Sequence, residues 1–211
     1  VNFHLINFYQ QLKKGLKSSI LMANDADLYY QCRDRFNELI ENNQSETQEA
    51  AILFYYLNRT GFNGLCRFNS QGKFNVPFGR YRSINYRDDF FAYKKLFQAW
   101  QFQWGDFEKI PVADHSFIYA DPPYDVEFRQ YAAGGFSWAD QERLATWLAA
   151  QTAPTIASNQ ATPRILDLYQ SLGFTVTTLS APRRIACNGD RTPAKEMLAF
   201  RNLAAEDLLN T

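Results

Sequence analysis

The sequence predicts an α/β protein, in which a mainly helical part precedes a doubly wound sheet that ends in a β-hairpin. Residues 3–58 place apolar side chains at helical spacing in three successive stretches, 3–17, 25–43 and 47–58. Residues 100–200 instead alternate short apolar runs with helical stretches in the order β-β-α-β-α-β-β. The 211 residues, 46% of them hydrophobic, suffice for one large domain or for a core with a smaller attached unit.

The helical part is the more regular of the two. Its second stretch lines up one apolar stripe, formed by Leu28, Cys32, Phe36, Leu39 and Ile40. The third stretch, 47–58, is apolar on more of its circumference and is predicted to be more buried. A further helix is predicted around residues 88–99.

Residues 59–81 lie between the third and fourth predicted helices and differ from them in composition. They contain Gly61, Gly64, Gly72 and Gly79 together with several asparagines, too many helix and strand breakers for a regular element. Loops of this length in a compact domain usually have a function. We therefore predict a long irregular loop that carries a functional surface.

The predicted strands and helices after residue 100 have clear local boundaries. The alternating run "WQFQWGDF" (100–107) predicts a strand that ends at Gly105-Asp106, and Phe117 to Tyr119 predict a short buried strand. Ser137 followed by Asp140 predicts the start of a helix over 138–150, and residues 155–158 form the next strand.

The last helix and the hairpin follow in the same way. Thr162 and Pro163 predict a helix start, and Gly173 its end. Residues 174–179 predict a strand, with 195–200 as its hairpin partner.

Composition restricts the classes of function. The formal net charge is +0, yet residues 59–95 hold eight basic residues against Asp88 and Asp89, a local excess of +6 that favours a polyanion. Three distant cysteines and two histidines predict neither a disulfide nor a metal site, and they fit a reducing cytoplasm. No apolar run approaches the roughly 20 residues of a membrane span, so no membrane partner is predicted.

The stretch "SFIYADPPYD" (116–125) is the strongest candidate site. Pro122 and Pro123 cannot donate backbone hydrogen bonds and have a fixed φ, so the strand must stop at Asp121 and the next residues are stiff. Ligands of open α/β sheets bind at such strand ends. Asp106 and "ASNQ" (157–160) end neighbouring predicted strands. A proline-rich turn after a core strand is the alternative interpretation of the motif alone.

Two motifs together resemble a known family. "YADPPYD" is similar to the motif of amino-group methyltransferases that use S-adenosylmethionine, and "NRTGFNGLCRFNSQGKFNVPFGRY" (58–81) resembles the DNA-recognition segment of Dam-type adenine methyltransferases. "FRQYAAGGF" (128–136) and "RRIACNGDRTPAKEMLAF" (183–200) resemble later segments in the same order. The resemblance implies a Rossmann-like methyltransferase sheet with a C-terminal β-hairpin, formed by residues 1–20 and 96–211. It also implies an inserted, mainly helical DNA-recognition domain over 21–95, whose contact loop is 59–82.

The implied catalytic residues are Asp121, Pro122, Pro123 and Tyr124. The amino nitrogen of adenine is a poor nucleophile because its lone pair is delocalised into the ring. Asp121 and the Pro122 carbonyl are expected to accept its two N–H bonds, and Tyr124 to stack on the flipped base, a contact worth roughly 1–3 kcal/mol.

The implied cofactor is S-adenosylmethionine, with Asp106, Phe107 and Asp121 as its binding residues. A turn or helix-cap role is the alternative for Asp106. Phe128 and Tyr131 are expected to wall the target base or the cofactor, with a role as core aromatics as the alternative.

In the DNA loop, Arg67 is expected to bind the first guanine of GATC through O6 and N7. Leu65 is expected at a thymine methyl group, and Phe62 at the site of the flipped base. The remaining expected contacts to double-stranded DNA are Asn63, Pro77, Arg80 and Tyr81. A weaker expectation assigns backbone contacts to Arg183, Arg184 and Arg191.

One departure from the family leaves alternatives open. Family members carry a glycine-rich F-x-G-x-G turn near the N-terminus for the cofactor, and "NFHLINFYQQL" aligns after it. Residues 1–211 alone are therefore expected to bind S-adenosylmethionine weakly, and a truncated, non-catalytic DNA-binding remnant is the alternative function. A methylase of another planar amino group is a second alternative, which the guanine-reading loop disfavours. A restriction endonuclease of the same system is a candidate partner.

Overall fold

The computed structural model describes residues 2–18, 20–113, 115–125, 135–181 and 194–203. Two compact units divide the chain, residues 1–105 and residues 106–211. The first is helical and the second contains a mixed β-sheet, so the predicted α/β class is confirmed. The division into a core of 1–20 and 96–211 with an insertion at 21–95 stays a prediction.

Four α-helices form the first unit and confirm the helical spacing found in the sequence. They are α1 (Phe3–Lys14), α2 (Ala26–Glu41), α3 (Gln48–Thr60) and α4 (Phe91–Leu96). The first three begin at side-chain caps, Asn2, Asp25 and Thr47, each of which accepts a backbone N–H from the first turn. α4 is shorter than the predicted 88–99.

Helix α3 lies at the centre of the first unit, and nine of its thirteen residues are buried. On one side it packs with α2 and with Phe74 and Val76 of the long loop. On another side it packs with α1, α4 and the aromatic rings of Phe90 and Phe97. Burial on several faces explains why the third stretch of the sequence is nearly continuous in apolar residues.

The second unit has a four-stranded sheet in the order β1-β2-β4-β3. Its strands are β1 (Ile118–Ala120), β2 (Thr155–Gln160), β3 (Thr175–Ala181) and β4 (Ala194–Arg201), and its helices are α5 (Trp138–Ala149) and α6 (Pro163–Ser171). β1 and β2 are parallel, whereas β4 runs antiparallel to both of its neighbours. The predicted hairpin of β3 and β4 is confirmed, and β4 lies between β3 and β2.

Local sequence also sets the ends of α5 and α6 as predicted. Ser137 and Asp140 form a reciprocal capping box, and Thr162 caps α6 with Pro163 at its first position. Gly173 follows α6 at φ +78°, a conformation that favours glycine.

The predicted strand over residues 100–107 is wrong. Residues 101–106 are irregular, and a short 3-10 helix over Phe107–Lys109 follows them. Lys13 Nζ donates to the Trp100 carbonyl at 2.6 Å, and Gln10 Nε2 donates to the Phe102 carbonyl at 3.0 Å. Because side chains of α1 bind these carbonyls, they are not available to a sheet.

The prediction of a buried strand at Phe117–Tyr119 is correct in position and wrong in burial. β1 covers Ile118–Ala120, whereas Phe117 is 57% exposed and Tyr119 is 59% exposed. Within the described residues β1 pairs with β2 alone, so it is an edge strand of the described sheet. No helix in these described ranges combines the length and the apolar character that crossing a membrane requires.

Candidate active site and nucleic-acid interface

Asp121 stands at the carboxyl end of β1 with one oxygen held by the neighbouring strand. Ser158 of β2, which is 2% exposed, donates from Oγ to Asp121 Oδ1 at 2.8 Å. Tyr119 Oη in turn donates to Ser158 Oγ at 3.2 Å. The Asp121 side chain is exposed, so its carboxylate is oriented from behind and remains accessible to a ligand.

The two prolines differ in what their carbonyls do. The Pro123 carbonyl accepts a hydrogen bond from Gln141 Nε2 at 2.8 Å. In the described part of the chain no donor reaches the Pro122 carbonyl. Pro123 is therefore tied into the fold, while the Pro122 carbonyl keeps its capacity to accept.

Tyr124 is half-buried beside the same group of residues. Its hydroxyl lies 3.5 Å from Glu196 Oε2 of β4. Burial raises the pKa of Tyr124, against a hydrogen bond with Ser158 that lowers it. The phenol is therefore neutral at physiological pH, as a ring that stacks on a base should be.

Asp125 closes the turn as a buried charge. It is 1% exposed. Its two carboxylate oxygens accept hydrogen bonds from Nε and Nη2 of Arg164, and Oδ2 also accepts from Thr162 Oγ1 at 3.0 Å. The Arg164 guanidinium also lies 4.5 Å from the ring centroid of Trp138. A buried carboxylate needs such pairing, so this pair joins the turn to α6.

A cavity of about 410 Å³ opens next to Asp121 and Pro122. Most of its walls are apolar, formed by Phe107, Ile110, Ile118, Phe136, Leu144 and Trp147 among others. Asp121 is the one charged side chain among the described residues that line it. Apolar and aromatic walls of this kind can accommodate a planar ring, and no cationic side chain occurs among the described residues that line the cavity.

Asp106 directly precedes Phe107, which lines this cavity, but the carboxylate of Asp106 is bound by other groups of the protein. It caps the 3-10 helix by accepting from Glu108 N at 3.0 Å, and Arg143 Nη1 donates to both of its oxygens, at 2.9 and 2.8 Å. The Glu108 backbone N–H and Arg143 lower the pKa of Asp106. Arg143 also covers the Phe107 ring at 4.4 Å. The cap role left open for Asp106 is thus real, and Phe107 reaches the cavity.

In the first unit, residues 61–81 fold back on themselves and are held by α2. Apart from a 3-10 turn at Phe62–Gly64 they form only isolated bridges, Gly61 with Phe78 and Phe68 with Phe74. Asn37 of α2 pairs with both backbone groups of Phe74, accepting from its N at 2.8 Å and donating to its O at 3.1 Å. The predicted irregular loop is confirmed, and its backbone is firmly bonded.

Arg67 is exposed at one edge of this loop and held by Asn75 across it. Arg67 Nε donates to Asn75 Oδ1 at 2.9 Å, and Nη2 donates to the Asn75 carbonyl at 3.0 Å. These bonds use one side of the guanidinium. Among the described residues no acceptor is bonded at the Nη1–Nη2 end, whose two parallel N–H groups suffice for a bidentate contact with guanine.

The other predicted DNA residues lie along the same loop. Phe62 is 48% exposed, whereas Leu65 is half-buried against the core of α2 and α3. Asn63 and Arg80 adopt left-handed φ values of 53° and 41°, which are uncommon outside glycine. Pro77 is exposed, and its carbonyl accepts from Phe62 N at 2.8 Å.

Tyr81 has a structural contact beside its predicted DNA role. Its hydroxyl donates to the Gly61 carbonyl at 2.9 Å, and Asn24 donates to its carbonyl. A side chain at Gly79 would come within 2.8 Å of the Thr60 carbonyl, so the two ends of the loop approach closely there. Five predicted residues lie outside the described ranges: Phe128, Tyr131, Arg183, Arg184 and Arg191.

Three polar residues behind the turn were not assigned roles from the sequence. Ser158 and Asn159 lie in "ASNQ", which the sequence marks as a polar strand end, so their position was predicted while their partners were not. Gln141 lies on α5 among apolar neighbours, and nothing in its local sequence distinguishes it.

Comparison with known proteins finds a matching family and several relatives. Residues 1–185 match the model of the D12 class N6 adenine-specific DNA methyltransferases. The chain is 34% identical to the DNA adenine methylase of Haemophilus influenzae, over 95% of this chain and 75% of that protein. It is 33% identical to the retron Ec67 DNA adenine methylase of Escherichia coli, over 94% and 73%.

A third relative is a longer protein. The DNA N-6-adenine-methyltransferase of Escherichia phage P1 is 32% identical over 90% of this chain, which spans only 27% of the phage protein.

Proposed function

Because the chain belongs to the D12 class of N6 adenine-specific DNA methyltransferases, we propose that it methylates N6 of adenine within GATC in double-stranded DNA. Methyltransferases of this family use S-adenosylmethionine, which supplies an electrophilic methyl group. The observation that carries the proposal is the turn at 121–124, where an exposed carboxylate, a carbonyl at Pro122 that no donor of the described residues reaches, and a neutral tyrosine ring follow one another. The non-catalytic alternative is not favoured, because the family match includes this turn.

The turn supports adenine chemistry through the number and kind of its acceptors. The amino group has two N–H bonds, and Asp121 and the Pro122 carbonyl provide two acceptors. When Asp121 and the Pro122 carbonyl accept both N–H bonds, N6 becomes pyramidal and its lone pair points out of the ring plane. As N6 forms its bond to the methyl carbon, the bond from that carbon to the sulfonium sulfur would break and N6 would become positively charged. The Asp121 carboxylate would stabilise that charge and accept the N6 proton, whose loss leaves a neutral methylated amine. Tyr124 is proposed to stack on the base after it leaves the duplex.

The sequence preference is proposed to reside in the loop of the first unit. Asn75 holds the Nε–Nη2 side of the Arg67 guanidinium, and no acceptor among the described residues bonds its Nη1–Nη2 end, a geometry suited to guanine O6 and N7. Arg80, with its left-handed backbone, is proposed to contact phosphate and to position the duplex without reading it. A DNA substrate suggests a cytoplasmic location, and a restriction endonuclease of matching specificity is a candidate partner.

Replacement of Asp121 by alanine in the full-length protein tests the proposed function. We expect methylation of a GATC duplex to fall by about 10²-fold or more, because a group that stabilises developing charge is lost. Binding of the duplex should stay within a few fold, since this carboxylate contacts the amino group and not phosphate. Transfer of labelled methyl to DNA gives the first quantity and fluorescence anisotropy the second.

Asp167→Ala is the matched control, since Asp167 is an exposed carboxylate on α6 of the same unit. It should leave both measurements unchanged. Wild-type methylation by Asp121→Ala, or labelled methyl at a base other than adenine in the wild-type reaction, would contradict the proposal.

A further inference from the structure

Two side-chain amides lie in the core directly behind the 121–125 turn. Gln141 of α5 and Asn159 of β2 are both 0% exposed. Gln141 occupies a position on the buried face of α5 that it shares with Leu144, Ala145 and Leu148, where an apolar residue would pack at no cost in hydrogen bonds. Buried amides that are fully paired hold one arrangement of their partners, so the partners indicate their role.

Each of these amides bonds to the backbone of the turn. Gln141 Nε2 donates to the Pro123 carbonyl at 2.8 Å, and Asn159 Oδ1 accepts from Asp125 N at 2.9 Å. Asn159 Nδ2 donates to Gln141 Oε1 at 3.0 Å, which joins the two amides to each other. A continuous chain of hydrogen bonds therefore runs from α5 through β2 to both residues that flank Tyr124.

The turn needs this support because it has few hydrogen bonds of its own. Pro122 and Pro123 have no N–H, so Tyr124 supplies the one backbone hydrogen-bond donor between Asp121 and Asp125. On one side the Pro122 carbonyl adjoins Asp121, which Ser158 holds; on the other it adjoins Pro123, which Gln141 holds. Its direction is thus determined by contacts at both neighbours.

We propose that Gln141 and Asn159 are positioning residues, which fix the Pro122 carbonyl and the Tyr124 ring in the geometry that methyl transfer requires. They act through Pro123 and Asp125 and do not contact the base. The inference rests on the proposed function for what the turn binds, and on the hydrogen bonds alone for what holds it. A small misplacement of groups in an active site costs about 10²-fold in rate, so loss of the chain should be visible in turnover.

The test compares three variants of the full-length protein. Gln141→Leu removes both ends of the amide at similar size, and Gln141→Glu keeps an acceptor for Asn159 while losing the donor to Pro123. Gln170→Leu is the matched control, because Gln170 is an exposed glutamine on α6. If Gln141→Leu does not fold, Gln141→Glu decides the outcome.

Amide hydrogen exchange measured by NMR gives the first readout and does not depend on activity. We expect exchange at the Asp125 amide to become at least about tenfold faster in the Gln141 variants, while amides in β3 and α6 keep their wild-type rates. Exchange at wild-type rates in these variants would overturn the proposal.

Steady-state methylation of a GATC duplex gives the second readout. We expect kcat, calculated per folded molecule as counted in the NMR spectrum of the same sample, to fall by about 10- to 100-fold with KM for DNA within twofold. Counting folded molecules is necessary because a general loss of folded protein would also lower the apparent kcat without changing KM. Faster exchange with unchanged kcat would overturn the positioning role. A wild-type protein that methylates no adenine would contradict the proposed function, and the exchange measurement would still decide whether the amides hold the turn.

Discussion

At the scale of single residues, Arg67 and Arg80 differ although both are basic and exposed in one loop. Arg67 is oriented by two hydrogen bonds from its guanidinium to Asn75. Arg80 has a left-handed backbone, and the described contacts include no hydrogen bond that orients its side chain. A pre-oriented guanidinium suits the reading of a base edge, whereas an exposed cation without such fixed hydrogen bonds suits phosphate.

Arg67→Ala should therefore relax discrimination at the first position of GATC by about 1–3 kcal/mol. Asn75→Ala should reproduce part of that loss while leaving the guanidinium charge in place. Arg80→Ala should weaken cognate and mismatched duplexes equally. Competition binding with duplexes changed at the first base pair measures all three, and identical behaviour of Arg67→Ala and Arg80→Ala would refute the division of roles.

At the scale of elements, His4 is one of the side chains through which α1 packs against its neighbours. Its ring stacks on Phe68 of the loop at 4.9 Å and meets Phe36 of α2 edge-on at 5.0 Å. Nδ1 is buried without a hydrogen-bond partner in the described residues. Burial among these rings lowers the pKa of His4 to about 4, so the ring is neutral where α1 is docked.

This lowered pKa predicts a loss of stability in acid. Above the ordinary histidine pKa of 6.5 the ring is neutral in both states and has no effect. Between pH 6.5 and about 4 the unfolded chain binds a proton that the folded chain does not, so the free energy of unfolding falls. The total loss is at most about 3 kcal/mol.

Urea denaturation from pH 7.5 to 4.5, compared with His4→Phe, measures this effect. Phenylalanine keeps the aromatic packing and cannot be protonated, so the variant should lose less stability over that interval. Parallel pH dependence of the two proteins would show that His4 does not titrate as expected.

At the scale of the whole molecule, the zero net charge conceals two units of opposite sign. Residues 1–105 contain 13 Lys and Arg against 9 Asp and Glu, a net charge of +4, and residues 106–211 contain 9 against 13, a net charge of −4. In the first unit Lys73 is partly neutralised by Glu41 of α2 at 2.5 Å. DNA affinity should therefore come mainly from the first unit.

Binding of DNA should depend strongly on salt concentration, although the net charge of the whole chain is zero. We expect affinity for a GATC duplex to fall by about 10²-fold between 50 and 200 mM salt, and Arg80→Ala to reduce the slope of log K against log salt by about 1. Anisotropy titrations at several salt concentrations test this. A slope near zero for the wild-type protein would contradict an electrostatic role for the first unit.

Features that depend on neighbouring residues could be predicted from the sequence. The capping box at Ser137, the Thr162-Pro163 start of α6 and the glycine after it depend on residues a few positions apart, and all were predicted correctly. The Asp121–Tyr124 turn was likewise recognisable, because two prolines restrict the backbone whatever surrounds them.

Contacts between distant parts of the chain could not be predicted, because they depend on how the elements pack in three dimensions. The alternation over 100–107 is typical of a strand, yet side chains of α1 bind the carbonyls that a sheet would need. Gln141 and Asn159 are 18 residues apart and meet only because α5 packs beside β2. The spacing of residues along the chain indicates which face of a helix or strand a side chain occupies. It does not indicate which distant residue packs against that face, so such hydrogen-bond partners cannot be predicted from local sequence.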